Sequence, residues 1–215
     1  MKVLGVFAHP DDEVIFGWPI FQDHSIDRHL MICVDDYEKY GSIKILAVRE
    51  VCATEGITLD WVERSDGKHF KMIRRPEDPL FTIRKIDSLI IRISRIANEV
   101  NPDYVFTHNF WGDNGNSEHK FISEIVINHC LNYDILLTNR CEFNKAWLSY
   151  ETIPRMHQRF FTAENMFKKC ILDANFYTRC KAIYDKYKVW TGNTSVPPKY
   201  PEKESTLYCL ERMNK

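Results

Sequence analysis

Near the start of the chain, in the run Ala8-His9-Pro10-Asp11-Asp12-Glu13, stand three side chains suited to metal-assisted chemistry: His9, Asp11 and Asp12. An imidazole and a carboxylate three residues apart on a tight turn can hold one divalent ion. A histidine from elsewhere, His119, can complete a three-ligand set that leaves a fourth position for water. Two nitrogens and one carboxylate oxygen suit zinc, while copper, nickel and iron(II) accept the same donors. Zinc brings bound water from a pKa of about 15.7 toward about 7 and so supplies a nucleophile near neutral pH. A second carboxylate beside a ligand is the natural general base, so Asp11 and Asp12 can divide the two tasks. His-Pro-Asp-Asp is also what a plain strand stop followed by a helix cap looks like, because aspartates favour helix N-termini. The metal reading rests on the pair of clusters, since a second polar group, Thr107-His108 through Glu118-His119, follows another strand.

The elements that must bring these clusters together are legible in the hydrophobic pattern. A continuous apolar run from Lys2 to Ala8 reads as a buried strand stopped by His9-Pro10, and a second run covers His29 to Val34. Residues Ile43 to Glu55 suit a helix closed by Gly56, followed by a short strand over Thr58 to Val62. Arg64 to Pro79 lacks periodicity and reads as a loop. Ile83, Ile86, Leu89, Ile90, Ile93 and Ile96 recur at helical steps until Asn101-Pro102, and Tyr104 to Thr107 is another buried strand. After a Gly/Asn loop at Gly112 to Asn116, Ser117 can cap a helix with Phe121, Ile122, Ile125 and Val126 on one face. A strand at Ala146 to Tyr150, helices near Thr162 to Cys170 and Phe176 to Val189, and a Pro-containing connector at 192–204 before a short tail complete the pattern. Strands alternating with helices predict an α/β fold, Rossmann-like, with a mainly parallel sheet and helices on both faces. In such a sheet functional groups gather beyond the C-terminal ends of strands, where both clusters lie.

Bulk properties narrow the function. At 215 residues and 44% apolar content, the expectation is one domain spanning 1–215. Lys plus Arg number 29 against 30 Asp plus Glu, which gives no overall field for nucleic acid or an anionic membrane. No segment approaches membrane-spanning length. The seven cysteines are odd in number and widely spaced, with no zinc knuckle or redox pair, and read as reduced thiols of a cytoplasmic protein. With only eight glycines and no Gly-rich turn after the first strand, the chain lacks the dinucleotide-binding fingerprint.

The ordered set Ala8-His9-Pro10-Asp11-Asp12-Glu13, then Pro102-Asp103-Tyr104-Val105-Phe106-Thr107-His108, then Glu118-His119, resembles the LmbE-like (PIG-L) family of zinc-dependent N-deacetylases. The similarity in element order covers roughly residues 1–150. Position by position, the resemblance implies that His9, Asp12 and His119 bind zinc and that Asp11 is the base, in agreement with the reading of the residues alone. It implies as substrate a small N-acetylated amino sugar or a conjugate of one. Asp66, in Arg64-Ser65-Asp66-Gly67, matches a family Asp-Gly element of the sugar pocket. Lys44 falls where the family has a substrate-contacting arginine, with Arg49 as the alternative.

One departure stands out. Where the family often has a histidine three residues before the last ligand, this chain has Asn116, whose amide can donate a hydrogen bond but cannot transfer a proton at neutral pH. Asn116 then serves as oxyanion donor, and either Asp11 acts as both base and acid, or His108 moves from substrate contact into that role, or turnover is slow. A different class of function, a non-catalytic sugar- or nucleotide-binding homologue that keeps the metal pocket, follows from the same departure. The loop cations Lys68, Lys71, Arg74 and Arg75 either contact a phosphate on a nucleotide sugar, phosphosugar or modified nucleotide or form a solvated charged loop, the reading favoured because Glu77 and Asp78 dilute the charge. Trp111 either stacks on a sugar face or packs.

Overall fold

The computed structural model describes residues 1–33, 37–62, 79–110, 112–113, 116–138, 161–190 and 203–212. Along these run seven strands: β1 (Lys2–Phe7), β2 (Asp27–Ile32), β3 (Thr58–Val62), β4 (Tyr104–Thr107), β5 (Asp134–Leu137), β6 (Phe161–Ile171) and β7 (Glu204–Arg212). Between them lie helices α1 (Asp12–Ile15), α2 (Trp18–Phe21), α3 (Tyr37–Glu55), α4 (Pro79–Val100), α5 (Ser117–His129) and α6 (Ala174–Lys186). The strands form one sheet in the order β3-β2-β1-β4-β5-β7-β6. Pairing is parallel from β3 through β5 and antiparallel where β7 enters between β5 and β6. This is the expected α/β architecture, with helices on both faces.

β1 is apolar on both sides because both sides are covered. Val3 and Phe7 enter a core shared with α1, α2, α3 and α6, whereas Leu4 and Val6 enter one shared with α4 and α5. The alternation is the period-two geometry of a strand, here covered on both faces. Gly56 closes α3 at φ 66°, a left-handed position that glycine holds without strain. The C-terminal carbonyls of α3 are answered by a side chain: the Arg28 guanidinium donates to Glu55 O at 2.7 Å and to Gly56 O at 3.4 Å. The Glu55 carboxylate in turn receives Arg179 of α6 through two bonds of 2.7 and 2.8 Å, which fastens α6 against α3.

Three expectations change. The segment expected as a helix near Thr162 to Cys170 is the long strand β6, the tail after the connector is strand β7, and β5 lies where the pattern showed no element. Ala163, Glu164, Met166, Lys168 and Lys169 are good helix formers, but weak local preference yields to a ladder that pairs Phe161 with Arg212 and Ile171 with Glu204. In β5 only Ile135, Leu136 and Leu137 form the apolar run, too few for periodicity to register. The expected strand at Ala146 to Tyr150 lies outside the described residues, as does most of the connector at 192–204. Among the described residues no helix is long and apolar enough to cross a membrane.

Candidate metal centre

β1 and β4 are neighbours, with Val6 opposite Thr107, so the loops leaving their C-terminal ends meet. After β1 the chain turns within His9–Asp12: the Asp12 N–H donates to His9 O at 3.2 Å, and the His9 N–H donates to Asp12 Oδ2 at 2.7 Å. Asp11 lies at φ 96°, a left-handed conformation that costs a residue other than glycine about 1–3 kcal/mol. It is held there at both ends of the residue. Its N–H donates to Glu13 Oε2 at 2.9 Å, and its carbonyl accepts from Val14 and Ile15 at 3.0 and 2.9 Å. Although Asp11 is the N-cap of α1, its carboxylate makes no capping bond.

The turn sets His9 and Asp12 against His119. His9 Nδ1 is 3.2 Å from His119 Nε2, Asp12 Oδ2 is 3.4 Å from His9 Nδ1, and Asp12 Oδ1 is 3.5 Å from His119 Nε2. Ligand atoms about 2.0–2.1 Å from a tetrahedral zinc lie roughly 3.3 Å apart, so the three side chains already stand close to the spacing such an ion needs. All three residues are buried, and their candidate ligand atoms lie within 4.8 Å of one another. Three protein ligands with one position left over is the arrangement of a catalytic site; structural zinc sites are closed by four.

Each candidate histidine ligand is steered from behind by a carboxylate. His9 Nε2 meets Glu118 Oε2 at 2.6 Å, and His119 Nδ1 meets Asp113 Oδ2 at 2.9 Å. A ring nitrogen that donates to a carboxylate fixes the tautomer and turns the lone pair of the other nitrogen toward the ion. Asp113 also takes His108 Nδ1 at 2.5 Å and the Thr138 hydroxyl, while its own N–H donates to Asn109 Oδ1 at 3.0 Å. His108 and His119 stack with centroids 3.9 Å apart. Ala8 N–H points at His108 Nε2 at 3.0 Å, which requires a lone pair there and places the ring proton on Nδ1, facing Asp113. His108, Asp113 and His119 also have metal-ligand spacing, yet here the nitrogens point at Asp113 as hydrogen-bond donors. Gly112 permits the tight loop: at φ 69°, a Cβ there would stand 2.2 Å from Asn116 O.

Charge at the site follows from burial and these partners. Burial alone would raise the Asp12 carboxyl, but the charge of His119 and the bond to His9 hold it well below the usual carboxylate range. Burial likewise opposes ionisation of Asp113, and the charges of and bonds to His108 and His119 overcome it. For His119 burial prevails and lowers the imidazole, which favours the neutral form that a metal ligand needs. Glu13 is the exception among the acids. Burial pushes it up to about 8, even though the Tyr184 hydroxyl acts to lower it.

His9, Asp11, Asp12 and His119 are thus all buried at the mouth of β1 and β4. Asn116, not Ser117, is the N-cap of α5, its Oδ1 accepting the Glu118 N–H at 2.8 Å, which leaves the NH2 as the end able to donate to another group. His108 has zero exposure and lies beneath Asp12, its Nε2 3.4 Å from Asp12 Oδ2. Lys44 is buried in α3, whereas Arg49 is exposed and lines a cavity of about 720 Å³ along β3 with Trp61 and Arg92. Asp66, Trp111 and the Lys68, Lys71, Arg74 and Arg75 group lie outside the described residues. Asp113, Thr138 and Tyr184 carry no signal in the sequence alone, because each acts only through a partner distant in the chain or across a loop. Glu118 sits in the quoted motif, but nothing in its spacing tells that it steers His9.

A family model described as GlcNAc-PI de-N-acetylase (PIG-L) matches residues 4–130, more than half of the chain. Among solved structures the chain is similar to a deacetylase of the teicoplanin biosynthesis pathway in complex with teicoplanin, with TM-score 0.60, 10% identity and 100% of both chains covered. It is similar to the zinc-inhibited form of teicoplanin deacetylase Orf2, with TM-score 0.59, 9% identity and 100% of both chains covered. A third likeness is to the A40926 pseudoaglycone deacetylase Dbv21, with TM-score 0.59, 10% identity, and 99% of this chain and 98% of that one covered. At these identities the likeness is one of fold. No curated protein matches the chain.

Proposed function

The chain belongs to the GlcNAc-PI de-N-acetylase (PIG-L) family, and on that footing we propose that it is a zinc-dependent hydrolase that removes the acetyl group from an N-acetylated amino sugar or amino-sugar conjugate. The observation that carries this reading is that His9 Nδ1 stands 3.2 Å from His119 Nε2 while each of these nitrogens has an Asp12 oxygen at 3.4–3.5 Å, next to a second carboxylate on a strained turn. A deacetylase of the teicoplanin pathway and the A40926 pseudoaglycone deacetylase share its fold, which supports an amino-sugar conjugate as the class of substrate. The reading treats 1–215 as one domain, supported by the single sheet that β7 completes.

When bound, zinc supplies a nucleophilic water near neutral pH and polarises the amide carbonyl. His9, Asp12 and His119 hold the ion, with Glu118 and Asp113 fixing the two rings. Asp11 takes a proton from the attacking water and delivers it to the leaving nitrogen as the carbon–nitrogen bond breaks, so the products are acetate and a free amine. The Asn116 NH2 donates to the carbonyl oxygen as it gains charge. Following the family resemblance, Lys44 and Asp66 contact the sugar.

A slower or purely binding homologue is favoured by one observation, that the Asn116 side chain caps α5 and has no proton to transfer. One experiment separates the two readings. Amine release is followed across N-acetylhexosamines, nucleotide sugars and amino-sugar conjugates, with zinc-loaded wild type, chelator-treated wild type and Asp11→Asn. Release that needs both zinc and Asp11 supports the hydrolase, equal release by wild type and Asp11→Asn refutes the assigned site, and zinc-dependent binding without release supports the binding homologue.

A further inference from the structure

Tyr184 lies on α6, well beyond residue 130 where the family match ends, yet its hydroxyl reaches the loop after β1 and donates to Glu13 Oε1 at 2.5 Å. Both residues are fully enclosed, and the Tyr184 ring packs against Trp190 at 5.7 Å between centroids. The other Glu13 oxygen accepts the Asp11 N–H at 2.9 Å. A single carboxyl group therefore connects the C-terminal helix to the backbone of the one residue in this turn that holds a positive φ, 96°. The helix that follows, α1, has only four residues and is too short to hold its own first turn. The anchor has to come from outside, and α6 is itself fixed to α3 by the paired Arg179–Glu55 bonds.

We propose that Tyr184 is a positioning residue for the reaction: through Glu13 it holds the left-handed turn that sets the direction of the Asp11 carboxylate. This rests on the assignment of Asp11 as the base. Removing the hydroxyl frees one Glu13 oxygen, the carboxyl group gains room to rotate, and the grip on the Asp11 N–H loosens. The donor atoms of His9, Asp12 and His119 are held by separate bonds to Glu118, the His9 N–H and Asp113, so the ion stays. Misplacing a reacting group by a fraction of its reach lowers turnover without weakening the binding of substrate.

The test uses the full chain loaded with zinc and the variant Tyr184→Phe, which keeps the ring. Nitrogen-resolved amide exchange should quicken about tenfold at Asp11 while α4 and α5 exchange as in wild type. On an N-acetylated conjugate that wild type hydrolyses, kcat should fall roughly ten- to a hundredfold, with KM within about twofold and zinc stoichiometry unchanged. Glu13→Leu, which offers no acceptor to either Tyr184 or the Asp11 N–H, is the second variant, and it should quicken Asp11 exchange in the same way should Tyr184→Phe fail to fold. Unchanged Asp11 exchange, unchanged kcat, or acceleration spread over α4 and α5 each overturns the proposal. Where wild type hydrolyses no conjugate, the functional reading fails by itself, and exchange at Asp11 still decides whether Tyr184 holds the turn.

Discussion

The two loops that meet above β1 and β4 hold their functional groups by different means. After β1 the backbone is the instrument: a turn of a few residues places Asp11 at φ 96° and closes with His9 and Asp12 bonded to each other. After β4 side chains do the holding, with Asp113 gripping His119 and His108 while Thr138 and Asn109 grip Asp113. The first arrangement can aim a reacting carboxylate; the second can only turn a ring. Damage to the first loop at Asp11 should therefore separate turnover from metal, whereas damage to the second should remove or weaken the metal itself.

The largest effect is expected at His119. His119→Ala removes a ligand, and elemental analysis of the purified protein should find the zinc gone along with all turnover; a full equivalent retained would break the contrast between the loops. Next comes Asp11→Asn, expected to keep its zinc while kcat falls about 10²–10⁴-fold, the usual range for loss of a general base. Asn116 sharpens the comparison because it belongs to the second loop yet should behave like the first. Asn116→Asp keeps an acceptor to cap α5 but loses the donor, so kcat should drop about a hundredfold with thermal stability preserved.

Asp113→Asn should act on affinity, weakening zinc about 10–100-fold in a competition titration with a chelator, while kcat at saturating zinc changes far less. A large fall in kcat at unchanged affinity would erase the distinction between aiming and turning. The smallest effect belongs to a pair outside both loops. Asp23 is lowered to about 2 by the Ser25 hydroxyl and then by Lys168 of β6. A carboxyl depressed on folding contributes stability above its ordinary range near pH 4, and that contribution is lost as pH falls through about 2. The pair is largely solvated, so Asp23→Ala should cost about 1 kcal/mol or less at neutral pH in denaturant titration. Acid unfolding should become less steep between about pH 4 and 2, with turnover untouched.

How much of this could be read from the residues alone follows the same division. The turn after β1 was legible because its chemistry is written in consecutive residues, and the parallel strands β1 to β4 because each is a short apolar run closed by a strong stop such as His9-Pro10. His119 was legible as the partner on a neighbouring strand end. Asp113, Thr138 and Tyr184 were not, since a buried hydrogen bond between residues 113 and 138, or 13 and 184, leaves no periodic trace. The flank of the sheet was misjudged for a related reason: Phe161–Ile171 prefers a helix locally, and only the pairing with Glu204–Arg212 makes it a strand.

That pairing has a consequence for the order in which the molecule assembles. Among the described residues, β6 pairs in the sheet only with β7, which is more than thirty positions later in the chain and inserts between β6 and β5. During synthesis the nucleus around β1, β2 and β4 can condense early, but the eleven-residue β6 has no ladder partner until β7 has been made. Such long-range closure is slow, and in the interval that strand is the surface most open to capture by a chaperone or by another nascent copy.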